Sequence, residues 1–294
     1  MKKLYIIGNG FDIFHGLRTK YSDFREYCNG EIDDFLNYCY FDCDDNSEWN
    51  KFESKLGDFD CDLFYEANCL NDQCESWGEG QGVADDIKET TDSLIDDVED
   101  KFNEWIGTIE LESITPKINI DKSAKFLTFN YTSVLQDIYK IPIDNALHIH
   151  GSVKLNSKLI FGHNKEIIEE PEIDENGDSN RTMYTDVENA AKYPLYAFKK
   201  RVVEILSKNE MFFNSLTDIN QVVVFGHSLN DIDLIYFKKV ANIAKNAEWT
   251  VSYYNDEEKD SHLLKLKSIG IIANRISLVK LCEFTPSMEC HKNA

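Results

Sequence analysis

The sequence has no apolar run approaching the roughly 20 residues that a membrane-spanning helix needs. The apolar run near the N-terminus ends at Gly8, which is too early for a secretory signal peptide. Without such a signal, the eight cysteines are not expected to form a disulfide framework. We therefore expect a cytoplasmic protein that does not use a membrane.

Cysteine pairs with the Cys-x-x-Cys spacing are also absent. The nearest approach to a zinc motif has wider spacings and consists of Cys39, Cys43, Cys69 and Cys74. Cys39 shares a helical face with the apolar Ile32 and Leu36, which favours a buried free thiol over a zinc ligand. The prediction is that no metal is bound.

Basic residues are scarce in one long segment. Between Glu31 and Glu104 there are 24 acidic residues against four lysines and no arginine, so this segment carries nearly all of the net charge of −22. Such an acidic surface repels phosphate backbones, so nucleic acid is not expected as a partner. We interpret the segment as solvated helical faces; the alternative is a surface for a basic partner.

The sequence predicts a short strand from Leu4 to Ile7 that is buried on both faces. It runs into Gly8-Asn9-Gly10-Phe11-Asp12, and a strand ending in Gly-x-Gly before a helix is how α/β proteins present backbone N–H groups to a phosphate. The dinucleotide fingerprint wants a third glycine where Ile13 stands, which argues against a nicotinamide-dependent dehydrogenase. A tight turn without a ligand is an equal alternative.

Helical periodicity dominates residues 31–115. A long helix is predicted from Ile87 to Ile106, and the glycine-rich stretch 78–82 before it is predicted to be a loop. A helical stretch of about 75 residues is longer than any ordinary connection between strands. We therefore predict one α/β domain over 1–294, with a large acidic helical insertion at 31–115 and a loop-and-helix insertion at 164–215.

Further strands alternate with helices along the rest of the chain, which predicts a Rossmann-like parallel sheet. They are predicted at 124–129, 146–149, 158–161, 222–225, 249–254 and 276–279. A helix is expected to contain Leu195 and Leu206, and another to start at Ser228 through the capping pattern Ser228-x-x-Asp231.

Small or polar residues follow five of these strands. The carboxyl ends of parallel strands lie at one edge of a sheet, where ligands bind, so we expect these residues to share a pocket. The residues concerned are Gly8, Asn9 and Gly10 after the first strand, then Asn130, His150 with Gly151, Gly226 with His227 and Ser228, and Asn255 with Asp256.

Together these segments resemble a known family. Ile-Ile-Gly-Asn-Gly-Phe-Asp at 6–12, Phe-Asn-Tyr-Thr at 129–132, His-Ile-His-Gly at 148–151 and Phe-Gly-His-Ser-Leu at 225–229 are similar to AbiH-type phage abortive-infection proteins. More widely, the series resembles the sirtuin-like branch of Rossmann folds. The chain lacks the Cys-x-x-Cys zinc module of the sirtuin deacylases, which favours the relatives that hydrolyse NAD.

The resemblance implies a cytoplasmic antiviral effector that takes NAD as its substrate and cleaves the nicotinamide–ribose bond. Nicotinamide leaves as a neutral group from a cation, so the reaction needs phosphate anchoring, a dry pocket and a base more than an acid. The first turn, with Phe11 and Asp12, and the second, Gly226-His227-Ser228, are assigned to the dinucleotide. Asn130 is assigned to the ribose or attacking water, His150 to the general base, and Asn255 and Asp256 to the adenosine ribose.

Each assignment has a structural alternative. His150 is otherwise a turn histidine, Asn130 a turn residue, Ser228 a helix cap and Asp12 an N-cap. His148 is predicted to be structural and His163 to be a second candidate base. His15 is predicted to be a surface residue, and the alternative is a loop residue near the ligand.

Other functions also remain open. One is a non-catalytic sensor of NAD or ADP-ribose, and another is an interaction protein that acts through the acidic helices. Beside the nucleotide, a second copy of the chain or a phage-derived activator is considered as a partner.

Overall fold

The structure is a computed structural model that describes residues 2–43, 45–69, 76–169 and 171–284. The described residues form two compact units. The sheet unit is built from Met1–Lys20, Ile106–Ile160 and Arg201–Ala294, and the helical unit from Tyr21–Trp105 and Phe161–Lys200. The predicted insertions, 31–115 and 164–215, overlap the two segments of the helical unit.

Six parallel strands form the sheet of the sheet unit, in the order β3-β2-β1-β4-β5-β6. They are β1 (Lys3–Ile7), β2 (Lys125–Thr128), β3 (Ala146–His148), β4 (Gln221–Phe225), β5 (Glu248–Tyr253) and β6 (Ile276–Lys280). This is the strand order of dinucleotide-binding Rossmann folds, so the prediction of a Rossmann-like parallel sheet is confirmed. The order reverses between β1 and β4, which we call the switch point.

Alternation along the strands divides the core of the sheet unit into two faces. Leu4 and Ile6 pack on one face with Val222 and Val224. Tyr5 and Ile7 pack on the other face, where Phe11 and Phe126 are also buried. Because both faces are covered, the central strands are apolar throughout, as buried parallel strands require.

Thirteen α-helices occur in the described residues. They are α1 (Asn9–Phe14), α2 (Tyr21–Cys28), α3 (Asp33–Asn37), α4 (Asn46–Trp49), α5 (Phe52–Lys55), α6 (Cys61–Cys69), α7 (Trp77–Gly107), α8 (Val134–Asp137), α9 (Thr185–Ala197), α10 (Val202–Lys208), α11 (Glu210–Asn214), α12 (Leu234–Ile243) and α13 (Asp256–Ser268). Short 3-10 helices cover Leu56–Asp58, Ile143–Asn145, Ala273–Arg275 and Leu281–Phe284. None of the helices in these ranges is long and apolar enough to cross a membrane.

Aromatic rings fill the core of the helical unit. Phe24 on α2 contacts Trp49, Phe52 and Phe102 edge-on, with ring centroids 5.3 to 6.2 Å apart. Phe161 lies 4.3 Å from Phe102, so the segment after residue 160 packs into the same core. Edge-on pairs of this kind stabilise a core beyond the area that they bury.

Four sequence predictions of secondary structure are wrong. Residues 78–82 lie within α7 rather than in a loop, because the buried helical face continues back from Ile87 through Ala84 to Gly80, and its packing outweighs the low helix propensity of glycine. No strand forms at 158–161, where the N–H of Ile160 bonds to the carbonyl oxygen of His150 instead of joining a ladder. The helix expected across 195–206 is divided into α9 and α10, and α12 starts at Leu234 instead of Ser228.

The described cysteines follow two patterns. Cys28, Cys39, Cys43 and Cys61 are free thiols, and Cys282 is disulfide-bonded. Burial raises the pKa of the Cys28 thiol to about 12 and that of the Cys61 thiol to about 11, so both stay protonated at neutral pH. Cys74 and Cys290 lie outside the described residues.

Candidate functional site

The turns that follow β1 and β4 are packed backbone against backbone. Gly8 donates its N–H to the carbonyl oxygen of Phe225 at 3.1 Å, and Gly10 donates to that of Gly226 at 2.7 Å. A Cβ on Gly8 would lie 2.6 Å from the Cα of His227, and one on Gly10 would lie 2.8 Å from the Cα of Gly226. Glycine is required at these positions by the contact between the two turns.

This contact occupies the backbone N–H groups of Gly8 and Gly10, which the sequence pattern predicts to bind a phosphate. The N–H groups of Gly8 and Gly10 already have backbone acceptors, and that of Phe11 donates to Gly8 at 2.9 Å. Asn9 is exposed, and its side-chain amide donates to the carbonyl oxygen of Thr19 at 2.6 Å. The first turn therefore holds the loop after α1 and offers few free backbone donors to an anion.

A buried carboxyl group lies one helical turn further along. Asp12 sits inside α1, whose N-cap is Gly8, so it is not the N-cap itself. Thr132 donates a hydrogen bond to Oδ2 of Asp12 at 2.6 Å, while Oδ1 has no hydrogen-bond partner. Burial raises the pKa of Asp12 to about 7, against the smaller opposing effects of Thr132 and Asn130.

Asn130 completes this polar group from the end of β2. Its backbone N–H donates to the hydroxyl of Thr128 at 3.1 Å, and its carbonyl oxygen accepts from His148 at 3.1 Å. The side chain is buried beside the carboxyl of Asp12, whose pKa it lowers, and neither its oxygen nor its nitrogen forms a hydrogen bond of normal geometry. Buried amides are nearly always satisfied in proteins, so an unsatisfied one calls for an explanation such as a bound ligand.

Two buried imidazoles face one carboxylate at the same edge. Nε2 of His150 lies 3.5 Å from Oδ1 of Asp233, and Nε2 of His227 lies 3.7 Å from Oδ2. The two histidine side chains are 3% and 4% exposed and the aspartate side chain 14%. The ring of Phe129 stands edge-on to both imidazoles, with centroids 5.2 and 4.4 Å away.

We call this arrangement the switch-point site. It lies within the sheet unit and consists of Asp12, Asn130, Thr132, His150, His227 and Asp233. Four of these residues are among those predicted from the sequence. A buried carboxyl group with a raised pKa, such as that of Asp12, is typical of functional sites.

The other predicted site residues have different surroundings. Ser228 is exposed and lies before α12 rather than at its start. Asn255 is the N-cap of α13, where its side-chain oxygen accepts the N–H of Glu258 at 2.8 Å. Asp256 is exposed in the first turn of that helix, where a carboxylate favours the helix dipole.

Two further histidines, His148 and His163, form hydrogen bonds within the unit to which each belongs. His148 faces the carbonyl oxygen of Asn130 and, at 3.3 Å, the side chain of Gln136. His163 belongs to the helical unit, and its ring nitrogens bond to the carbonyl oxygen of Leu195 and the N–H of Lys165. Burial lowers the pKa of both imidazoles, so they are neutral.

The prediction that His15 is a surface residue is wrong. His15 is buried, with Nδ1 2.7 Å from the carbonyl oxygen of Phe11 and Nε2 2.7 Å from the hydroxyl of Tyr139. Burial lowers its pKa, so the ring is neutral and fastens the end of α1 to the core.

Two members of the site were missed by sequence reasoning. The sequence pattern gives Thr132 no role, and it predicts Asp231, not Asp233, as the acidic residue of a capping box at this helix start. The pattern predicts only the first residues after each strand to lie at the carboxyl edge of the sheet, whereas Asp233 lies eight residues after the end of β4. Among the described residues, no group of three or more side chains is arranged to hold a metal ion.

Comparison with known proteins gives one match. The family model described as "Bacteriophage abortive infection AbiH" matches residues 4–253, which include every strand from β1 to β5 and the whole switch-point site. No curated protein and no solved structure matches the chain. The wider resemblance to sirtuin-like folds therefore stays a prediction. Because the family model covers most of the sequence, the chain belongs to the AbiH family, which indicates a role in abortive infection by bacteriophage.

Proposed function

We propose that this chain cleaves NAD at the bond between nicotinamide and ribose, and that it does so at the switch-point site during abortive infection. The observation that carries the proposal is the side chain of Asn130, which is buried next to the carboxyl of Asp12 and whose polar atoms form no hydrogen bond of normal geometry. In this strand order, dinucleotides bind at the carboxyl edge between β1 and β4.

The residues of the site match what the reaction needs. Nicotinamide is a good leaving group because it departs as a neutral molecule from a cation, so a base and a positioned nucleophile matter most. Asn130 can hold a ribose hydroxyl or the attacking water through its amide. His150 can accept the proton, since an imidazole ordinarily titrates near neutral pH.

The dinucleotide's phosphates need donors other than those first assigned. The N–H groups of Gly8 and Gly10 are bonded to β4 and its turn, whereas the side chains of Asn9 and Ser228 are polar and exposed at this edge. We therefore assign diphosphate contacts to these two side chains. The side chain of Asn255 caps α13, so we assign the contacts with the adenosine ribose to Asp256 and the adjacent backbone instead.

A second candidate function is a sensor that binds the nucleotide without turnover. The burial of His150 and His227 against Asp233 favours it, because imidazoles held between protein groups are often structural. Such a protein binds NAD or ADP-ribose tightly and releases no nicotinamide.

Both candidates are tested by incubating the purified chain with NAD, measuring nicotinamide release by chromatography and ADP-ribose binding by calorimetry. We expect release by the wild type and a loss of about 100-fold or more in Asn130→Ala. The matched control is Asn103→Ala, an exposed asparagine on α7, which should keep full activity. Binding without release would support the sensor, and neither binding nor release would overturn both.

A further inference from the structure

Asp233 lies between two imidazoles and uses one carboxylate oxygen for each. Oδ1 is 3.5 Å from Nε2 of His150, and Oδ2 is 3.7 Å from Nε2 of His227; both contacts are electrostatic, and neither is a hydrogen bond. The aspartate precedes α12 as its N-cap, while His150 follows β3 and His227 follows β4. Three separate elements of the sheet unit therefore meet at a single carboxylate.

The protonation of His227 can be read from its neighbours. The N–H of Leu229 donates to Nδ1 of His227 at 2.9 Å, so Nδ1 carries the lone pair and Nε2 carries the proton. Leu229 has a left-handed backbone with φ of 53°, so the chain changes direction directly after this contact. Both ring nitrogens of His227 thus face the chain, which makes this residue an anchor for Asp233 and not a ligand contact.

We propose that Asp233 is a positioning residue for His150, and that His227 holds its carboxylate in place. With Oδ1 facing Nε2, the carboxylate favours the tautomer of His150 that carries its proton on Nε2. The lone pair is then on Nδ1, which becomes the nitrogen that acts as the base. This deepens the proposed function, on which its kinetic consequence rests.

The proton balance of the step is as follows. As water attacks the anomeric carbon, the new C–O bond forms and the C–N bond to nicotinamide breaks, with its electron pair leaving on nicotinamide. The proton of the water moves to Nδ1 of His150, giving an imidazolium. The carboxylate of Asp233 stabilises that cation and keeps its own charge, because a nearby opposite charge favours the charged imidazole.

The surroundings of Asp233 determine how strongly its carboxylate acts on His150. Besides Asp233, His150 faces the phenols of Tyr131 and Tyr236, with ring centroids 6.4 and 5.9 Å from the imidazole. The rings of Phe129 and Phe237 lie against His227. Because both imidazoles are buried, the electrostatic effect of Asp233 is screened less than at a surface.

The test is nitrogen NMR of the full chain labelled at histidine, which reports the tautomer and pKa of each imidazole without any turnover. In the wild type we expect the proton on Nε2 in both His150 and His227. In Asp233→Asn we expect the pKa of His150 to fall by about one unit or more. The control is Asp231→Asn, an exposed acid two residues away that pairs with Lys265 and should leave His150 unchanged.

The wild-type spectrum alone is decisive if Asp233→Asn does not fold. A proton on Nδ1 of neutral His150 would overturn the proposal, and so would an unchanged His150 pKa in a folded Asp233→Asn. In turnover assays Asp233→Asn should lower kcat by about tenfold or more with little change in KM. If no NAD is cleaved but His150 carries its proton on Nε2, the proposed function fails and the role of Asp233 stands. If NAD is cleaved but the pKa of His150 is unchanged in Asp233→Asn, the proposed function stands and the role of Asp233 fails.

Discussion

Gly10 donates its backbone N–H to the carbonyl oxygen of Gly226 at 2.7 Å, which joins the turn after β1 to the turn after β4. The join lies at the point where the strand order reverses. The Gly-x-Gly turn is therefore one half of a backbone contact that brings Asp12 and His227 to the same edge. Its glycines are needed for that contact whether or not a phosphate binds there.

The first prediction concerns Gly226. It has φ of +66°, and an added Cβ would overlap the backbone of Gly10 and Phe11. Gly226→Ala should cost about 3 kcal/mol or more in free energy of unfolding, since backbone on both sides must move. Gly270→Ala is the matched control, because Gly270 has φ of +95° with open space around it and should cost only about 1 kcal/mol. Equal losses in urea denaturation would contradict this account.

The second prediction concerns Asp12 and pH. Its pKa is about 7 when folded, against an ordinary value of 3.8. Between these two pH values the unfolded chain gives up the proton first, so the stability due to this group falls as pH rises and levels off above about 7. Asp12→Asn keeps the shape and removes the charge, so its stability relative to wild type should rise over that range.

The size of this effect is large enough to measure. At about 1.4 kcal/mol per pH unit, the shift corresponds to roughly 4 kcal/mol above pH 7 and to almost nothing near pH 4. Urea denaturation of both proteins at pH 4.5, 6 and 8 gives the difference, in which other titrating groups cancel. A difference that stays flat across pH would show that Asp12 is not buried as described.

The third prediction concerns a buried ion pair in the helical unit. Nζ of Lys200 lies 2.5 Å from Oε2 of Glu53, with the lysine side chain 1% exposed, and Tyr21 donates to the other oxygen of Glu53. Glu53→Gln removes a negative charge that faces this buried cation and should cost about 3 to 5 kcal/mol. Asp58→Asn, which removes a more exposed pair with Lys165, should cost less than about 1 kcal/mol. Comparable losses would contradict the difference in burial.

The fourth prediction separates capping from ligand binding at Asn255. Since its side chain accepts the N–H of Glu258, Asn255→Ala should destabilise the chain by about 1 kcal/mol, whereas Asn255→Ser should retain most of the stability. Thermal melting of the three proteins measures this. A neutral Asn255→Ala that nevertheless loses ADP-ribose affinity would return Asn255 to the ligand site.

The parallel sheet could be predicted because its signals are local. Strands such as β1 and β4 are short apolar runs that end in glycine, and their polar ends must share an edge in any parallel sheet. Asn130 and His150 were placed at that edge on this basis. The pairing of particular strands, and hence the contact between Gly10 and Gly226, depends on long-range packing that no local pattern contains.

The misses share a physical cause. Asp233 reaches the site only because the chain from 226 to 233 turns back through the left-handed Leu229, a conformation that sequence patterns do not predict for leucine. Residues 78–82 are helical although three of the five are glycine, because tertiary packing overrides propensity: a side chain at Gly80 would meet the backbone of Met183. His15 is buried by Tyr139, which is 124 residues away in sequence.

The central claim is that a dinucleotide binds at the carboxyl edge between β1 and β4. The most direct measurement is a crystal structure of the His150→Ala variant, chosen to slow turnover, grown with saturating NAD. The account predicts density for the dinucleotide at this edge, with the ribose of nicotinamide within hydrogen-bonding distance of the Asn130 side chain. Density bound elsewhere on the chain, or no bound nucleotide at saturation, would contradict it.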